Sequence, residues 1–158
     1  MIEFEFTTTK QLICRPGAAS DVGGVARSLE AGHVLLVTDE AIAGIELHKP
    51  ALESLAGSGV EATVFTGVKA DPPESVVLEA LAIAKEAGVD GVIGFGGGSS
   101  MDVAKVVSLM LNSGESLEEI YGVGKAKGSR LPLIQMPTTA GTGSEVTPIA
   151  IITTGETT

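Results

Sequence analysis

The stretch VIGFGGGSSMDVAK, residues 92–105, places three consecutive glycines between two segments of regular structure. An apolar run that predicts a strand precedes the glycines, and a segment with helical spacing of apolar residues follows them. Glycines at such a junction let backbone amides approach a ligand closely, because no Cβ stands in the way. The stretch therefore predicts a strand, a glycine loop and a helix N-terminus that can attract an anion.

Strand-like and helix-like segments alternate on both sides of this stretch. Apolar runs predict strands at residues 2–6, 33–39, 60–65, 90–95, 131–136 and 148–154, with 11–15 as a candidate partner of the first. Helices are predicted at residues 21–30 behind a Ser20 cap, at 50–55, from Pro73 to a stop at Gly88, at 99–111 and at 117–120. Because the strands are rich in β-branched residues and show no polar face, the pattern predicts an open, mostly parallel α/β sheet with helices on both faces.

The composition of the 158-residue chain fits one domain and argues against several kinds of partner. Aromatic residues make up only 3%, which favours a sheet covered by alanine-rich helices over an aromatic-rich sandwich. The net charge of −10 and the lack of a basic cluster argue against nucleic-acid binding. No apolar run approaches the ~20 residues of a membrane helix, no signal peptide is recognisable, and Cys14 is the only cysteine. We therefore expect a cytoplasmic protein with no membrane or nucleic-acid partner.

Three of the predicted strands end in segments that suit ligand binding. Asp39 ends the strand at 33–39, the glycines with Ser99 and Ser100 follow the strand at 90–95, and a threonine-rich loop follows the strand at 131–136. In an open parallel sheet the carboxyl ends of the strands share one edge, and ligands bind just beyond it. The three segments are therefore expected to lie close together.

Two familiar phosphate-binding motifs do not fit the glycines. A Walker A loop needs lysine followed by serine or threonine, and no lysine occupies that place. The fingerprint G-x-G-x-x-G would end here at Ser99, and Asp39 precedes the glycines, whereas the acidic ribose ligand of the fingerprint follows them by ~20 residues. Taken alone, the glycines leave two interpretations open: an anion-binding loop, or a tight turn between a strand and a helix.

Two longer motifs carry a family resemblance. GGGSSMDVAK (96–105) and PTTAGTGSEVT (137–147), in that order, resemble the two signatures of the iron-dependent (group III) alcohol dehydrogenases, whose broader relatives are glycerol dehydrogenase and dehydroquinate synthase. The segments LLVTDEAI, VFTGVKADPP and AIITT also fall where members of the family have similar sequences. The serine after the three glycines favours the dehydrogenase branch. The resemblance implies a Rossmann-like sheet, as in the N-terminal domain of dehydroquinate synthase.

The resemblance also implies a set of contacts to NAD. Asp39 would accept hydrogen bonds from the adenosine ribose, and Asp102 would lie towards the nicotinamide. Asp71 stands where relatives commonly carry asparagine, so its contact loses an amide donor. The cofactor-binding residues implied in this way, with Ser100 as a cap or phosphate donor, are Asp39, Asp71, Gly96, Gly97, Gly98, Ser99, Ser100, Asp102, Thr138, Thr139, Thr142, Ser144 and Thr147. Lys105 is interpreted as a structural or ion-paired residue of its helix.

The resemblance leaves the metal site unaccounted for. Members of the family are longer, and their second, helical domain supplies aspartate and histidine ligands to a divalent metal, iron or zinc. His33 and His48 are the only histidines here, and neither has ligand-like spacing. No catalytic residue and no metal ligand is therefore assigned. We interpret residues 1–158 as a single dinucleotide-binding domain that lacks the helical domain.

Two functions follow as alternatives. The first is hydride transfer between NAD(H) and a small alcohol or aldehyde by a metal-dependent alcohol dehydrogenase, a homo-oligomer by expectation, to which this chain contributes the cofactor-binding half. The second is a catalytically silent nucleotide-binding or assembly module with the same half-fold. In either case the 158-residue chain by itself is expected to be inactive.

Overall fold

The computed structural model describes residue 3 and residues 8–155, and its centre is a four-stranded parallel sheet. The strands are β1 (His33–Asp39), β2 (Glu61–Val68), β3 (Gly91–Gly96) and β4 (Leu133–Pro137). Their order across the sheet is β2-β1-β3-β4, and every neighbouring pair is parallel. The helices are α1 (Val22–Ser28), α2 (Glu40–Gly44), α3 (Lys49–Gly57), α4 (Glu74–Ala87), α5 (Gly98–Ser113) and α6 (Leu117–Ile120).

Helices cover both faces of the sheet because successive residues of a strand point to opposite sides. In β1, Leu35 and Val37 pack into a core with α4 and α5. Val34 and Leu36 pack into a second core with α1 and α3. The expected open, parallel α/β sheet with helices on both faces is confirmed.

The boundaries of α4 follow the signals in the sequence. Pro73 is the N-cap residue in an extended conformation, and Gly88 ends the helix with φ of 65°, where a residue with a Cβ would be strained. Val77, Leu81 and Ala84, the predicted apolar stripe, are buried against the sheet. The glycine-first helix α5 begins one residue earlier than expected, at Gly98.

The strand predicted at residues 2–6 lies outside the described residues, except for Glu3. Three other local predictions were wrong. Residues 11–15 form no strand in the described part of the chain, and Leu12 in this segment is 71% exposed. Ser20 does not cap a helix, since it lies inside a 3-10 helix, Ala18–Asp21, and α1 begins after it. Residues 148–154 make only one bridge, between Thr153 and Pro73. Side chains of α5 bind the carbonyl of Ile149 and the amide of Ile151 instead, so these two polar groups do not need a neighbouring strand.

No helix within the described ranges has both the length and the apolar character needed to cross a membrane.

Candidate functional site

A cleft of about 490 Å³ opens at the carboxyl edge of the sheet. It lies between the ends of β1 and β2 and the first turn of α5. Its lining residues are Asp39, Glu40, Ala41, Thr66, Gly67, Val68, Lys69, Ala70, Gly97, Gly98, Ser99 and Ser100. The cleft is therefore where a ligand of a parallel α/β sheet is expected.

The glycine loop, residues 96–100, leaves the first turn of α5 open towards the cleft. Gly97 is the N-cap residue, and no side chain caps the helix. The first amides of a helix have no intrahelical partner, and they carry the positive end of the helix dipole. Gly96 has φ of 147°, and a Cβ there would lie 2.6 Å from Ser100 Oγ. Glycine at 96 thus permits the turn that points these amides at the cleft.

The threonine loop, residues 138–147, contacts the glycine loop. The amide of Thr138 donates a 2.9 Å hydrogen bond to the carbonyl of Gly96. A Cβ at Gly97 would lie 3.6 Å from Thr139 Oγ1, and one at Gly98 would lie 3.3 Å from Thr142 Cγ2. The structure therefore brings the two motifs together, as their positions after β3 and β4 predict.

Asp39 faces the glycine loop from the end of β1. Its Oδ1 accepts a 2.9 Å hydrogen bond from the amide of Ile42, so the side chain also caps α2, a helix that the sequence analysis missed. Its Oδ2 lies 3.5 Å from the position that a Cβ would take at Gly96. One carboxylate oxygen thus holds α2 in place, and the other lies next to the glycine loop.

Asp102, in the second turn of α5, and Ser144 are buried and do not line the cleft. Both contact Lys105, whose ammonium forms an ion pair with Asp102 at 3.1 Å. The ion-paired role expected for Lys105 is confirmed. Burial lowers the pKa of Lys105 below its usual value, although the hydrogen bond and charge of Asp102 and the charge of Glu145 oppose that shift.

Eight of the thirteen expected site residues are not among those that line the cleft: Asp71, Gly96, Asp102, Thr138, Thr139, Thr142, Ser144 and Thr147. Asp71 adopts a left-handed conformation with φ of 47°, and its carbonyl accepts a 3.0 Å hydrogen bond from Thr153 Oγ1. It follows Ala70, which lines the cleft. Thr147 is exposed at the far end of the threonine loop.

The chain is similar to known proteins in sequence and in fold. The family model described as "Iron-containing alcohol dehydrogenase" matches residues 9–158. The chain belongs to the iron-containing alcohol dehydrogenase family. The resemblance inferred from the two motifs is confirmed.

Individual members of the family match the chain over nearly its whole length. Sulfoacetaldehyde reductase of Bilophila wadsworthia (strain 3_1_6) is 32% identical over 149 residues, which cover 94% of this chain and 38% of that protein. The structure of 1,3-propanediol oxidoreductase has a TM-score of 0.93 at 28% identity and covers 98% of this chain and 41% of its own. The structure of sulfoacetaldehyde reductase of Bifidobacterium kashiwanohense in complex with NAD+ has a TM-score of 0.88 at 27% identity. The match covers 98% of this chain and 41% of that one. The chain thus spans about two fifths of the length of these relatives.

The described residues do not offer the family's metal site. Within residue 3 and residues 8–155, no group of three or more His, Cys, Asp or Glu side chains could hold a metal ion. The two histidines belong to different elements. His33, at the start of β1, has its Nε2 2.9 Å from Thr63 Oγ1, whereas His48 directly precedes α3. A nicotinamide cofactor, in contrast, fits the residues present, because the open amides of α5 and the glycine loop offer a cradle for its phosphates.

The sequence motifs did not indicate the β2 side of the cleft. Residues 66–70 line it, and among the lining residues Lys69 is the one cation. The segment VFTGVKADPP carried the family resemblance, but nothing in its residue types pointed to a ligand. The signal lies in the topology: β2 pairs with β1, so its carboxyl end must flank Asp39.

Proposed function

We propose that the chain binds NAD(H) in this cleft and is the dinucleotide-binding domain, over residues 1–158, of an iron-containing alcohol dehydrogenase. The whole enzyme would transfer hydride between NAD(H) and a small alcohol or aldehyde. In this proposal NAD+, when bound, supplies the hydride acceptor. The residues of this chain bind and orient it.

The observation that carries the proposal is the meeting of three loops around one helix N-terminus. The uncapped first turn of α5 faces the cleft, the Asp39 carboxylate stands across from it, and Thr139 and Thr142 flank Gly97 and Gly98. Amides at a helix N-terminus suit a pyrophosphate, and a carboxylate accepts hydrogen bonds from ribose hydroxyls. The NAD+ complex of a relative with the same fold supports this assignment.

Each expected contact has a role in this proposal. Gly96, Gly97, Gly98, Ser99 and Ser100 would hold the pyrophosphate. Thr138, Thr139 and Thr142 would close the cleft from the β4 side. Gly96 and the three threonines are not among the lining residues either, but they belong to the glycine loop or contact it. Asp71, Asp102, Ser144 and Thr147 do not line the cleft, so their contribution would be indirect or would concern the nicotinamide end.

Calorimetric titration of the chain with NAD+ tests the proposal. We expect saturable binding in wild type and its loss in Gly97→Val, because the new side chain projects towards Thr139 and keeps phosphate from the amides. Gly57→Val is the matched control, since Gly57 ends α3 and a Cβ there meets nothing within 4 Å. Wild type that does not bind NAD+, or equal binding by Gly97→Val, would contradict the assignment.

The second candidate is a catalytically silent nucleotide-binding or assembly module. It is favoured by the lack of a metal-binding group in the part of the chain that the structure describes. The 158-residue chain is expected to be inactive in either case, so the candidates differ in whether the whole protein that carries this domain reduces NAD+ with a small alcohol. A homo-oligomeric assembly and a cytoplasmic location complete the proposal, and sedimentation velocity and cell fractionation test them.

A further inference from the structure

We propose that Asp102, Lys105 and Ser144, here called the Lys105 cluster, position the threonine loop against the glycine loop. In this assignment they are positioning residues and do not touch the cofactor. The effect on binding rests on the proposed NAD(H) site, but the effect on the loop does not.

The ammonium of Lys105 is fully engaged. It donates hydrogen bonds to Asp102 Oδ1 at 3.1 Å, to Ser144 Oγ at 2.7 Å and to the carbonyl of Ile149 at 2.5 Å. An ammonium has three donors, so none is left for a ligand. Two of the three bonds reach residues 39 and 44 positions further along the chain. Lys105 thus joins α5 to the segment that follows β4.

Asp102 completes the same connection. Its Oδ1 accepts a 2.6 Å hydrogen bond from Ser144 Oγ, and its Oδ2 accepts a 3.0 Å bond from the amide of Ile151. The side chains of Asp102 and Lys105 are only 12% and 11% exposed. Removing one partner of a buried pair leaves the other charge uncompensated, so the cluster is expected to act as a unit.

The cluster is connected to the cleft through the threonine loop. The amide of Ser144 donates a 3.3 Å hydrogen bond to Thr142 Oγ1. Thr142 Cγ2 lies 3.3 Å from the position of a Cβ at Gly98, in the first turn of α5. Because α5 carries Asp102 and Lys105 and begins within the glycine loop, fixing Ser144 to α5 fixes Thr142 relative to the helix N-terminus.

Hydrogen exchange of the 158-residue chain tests the loop directly, with Ser144→Ala and Lys105→Met as variants. We expect amides of residues 142–153 to exchange about tenfold faster or more, because their anchors are lost. Amides of β1 should be unchanged. Ser108→Ala is the matched control: it removes another buried serine of α5, whose Oγ donates to the carbonyl of Lys105 at 2.8 Å and has no contact with the loop.

Calorimetry with NAD+ measures a second quantity, the affinity for NAD+, which a merely structural role of the cluster would leave unchanged. At a temperature where all variants are folded, Ser144→Ala and Lys105→Met should each weaken binding between about twofold and thirtyfold. The double variant should bind NAD+ as tightly as whichever single variant has the lower affinity, because the residues act as a unit. Ser108→Ala should bind as wild type does.

The outcomes separate the two proposals. Exchange that stays slow in residues 142–153 of both variants, or that rises uniformly over the chain, overturns the positioning role. Unchanged NAD+ affinity in variants whose loop exchanges faster also overturns it. If wild type fails to bind NAD+ while the loop of the variants exchanges faster, the proposed function is overturned. The Lys105 cluster then has a role in the structure of the loop alone.

Discussion

At the scale of single residues, Asp39 is the group that should distinguish NAD+ from NADP+. Its Oδ2 lies beside the glycine loop, where the ribose of a dinucleotide would bind. Repulsion between this carboxylate and a 2′-phosphate is expected to cost on the order of 1–3 kcal/mol, which corresponds to a preference for NAD+ of about tenfold or more. Lys69 lines the same cleft and would oppose part of this effect.

Asp39→Asn is the sharpest variant for this prediction. Asparagine keeps an oxygen that can accept the hydrogen bond from the amide of Ile42, so α2 stays capped while the charge is lost. We expect the preference for NAD+ to shrink towards unity, as measured by calorimetry with both cofactors. Equal affinities in wild type, or an unchanged ratio in the variant, would rule out the ribose assignment.

Tyr121 offers a second test, because it is the only tyrosine and the chain has no tryptophan. Burial and a hydrogen bond to the Glu74 carboxylate raise the pKa of Tyr121 to about 12. Titration of the tyrosinate absorbance should show this pKa, and Glu74→Gln should lower it. Glu79→Gln, on the same helix, should leave it unchanged. A pKa near 10 in wild type would contradict the contact.

The sign of the linked stability change follows from this shift. Above pH 10 the unfolded chain loses the phenol proton while the folded chain keeps it, so folding becomes less favourable as pH rises. The contribution of Tyr121 is complete below pH 10 and is lost as pH rises towards about 12. The difference in unfolding free energy between wild type and Tyr121→Phe should therefore shrink over that window.

The expected site residues that line the cleft share one property: their type is unusual for their place. Three glycines before a helix, and a carboxylate at the end of a buried strand, need a reason beyond packing. Asp102 met this criterion too, but its charge is compensated by Lys105, one helical turn away. The spacing of the two residues suggests such a pair, but it does not show which way their side chains point. Contacts such as Ser144 to Lys105 join distant segments, and a residue pattern does not specify them.

At the scale of elements, α1 and α3 pack so closely that only glycine fits at one position. A Cβ at Gly23 would lie 2.0 Å from the carbonyl oxygen of Ser54, whereas one at Gly24 would meet nothing within 4 Å. We expect Gly23→Ala to lower the unfolding free energy by about 1–3 kcal/mol, because a helix backbone must move. Gly24→Ala should raise it by about 0.5–1 kcal/mol, since alanine favours the helix.

Urea unfolding of the two variants checks this pair, and each is the other's control. The glycines are neighbours in the same helix and undergo the same substitution, so helix propensity alone predicts the same sign for both. Two stabilising changes would show that α1 and α3 are less tightly packed than in the structure.

The elements themselves were predictable where local signals and burial agree. β1 and α6 have the bounds that the sequence indicates: an apolar run sets those of β1, and a capping box of Ser116 and Glu119 sets the start of α6. Residues 148–154 have the pattern of a strand but lie outside the sheet, and α5 side chains bind two of their backbone groups, the carbonyl of Ile149 and the amide of Ile151. Hydrogen bonds of that kind come from tertiary structure, and strand propensity gives no sign of them.

At the scale of the whole molecule, we predict that the 158-residue chain does not oxidise alcohols, even with iron or zinc supplied. A catalytic metal needs about three protein ligands in fixed geometry, and the described residues contain no such group. His33 lies against Thr63, Cys14 is exposed before α1, and Asp102 is engaged by Lys105. Reduction of NAD+ by purified chain with ethanol, glycerol or 1,2-propanediol is the measurement, with calorimetry confirming that the same preparation binds NAD+. Metal-dependent turnover that disappears in Gly97→Val, but persists in Gly57→Val, would show that this chain assembles a catalytic site from residues to which we assign other roles.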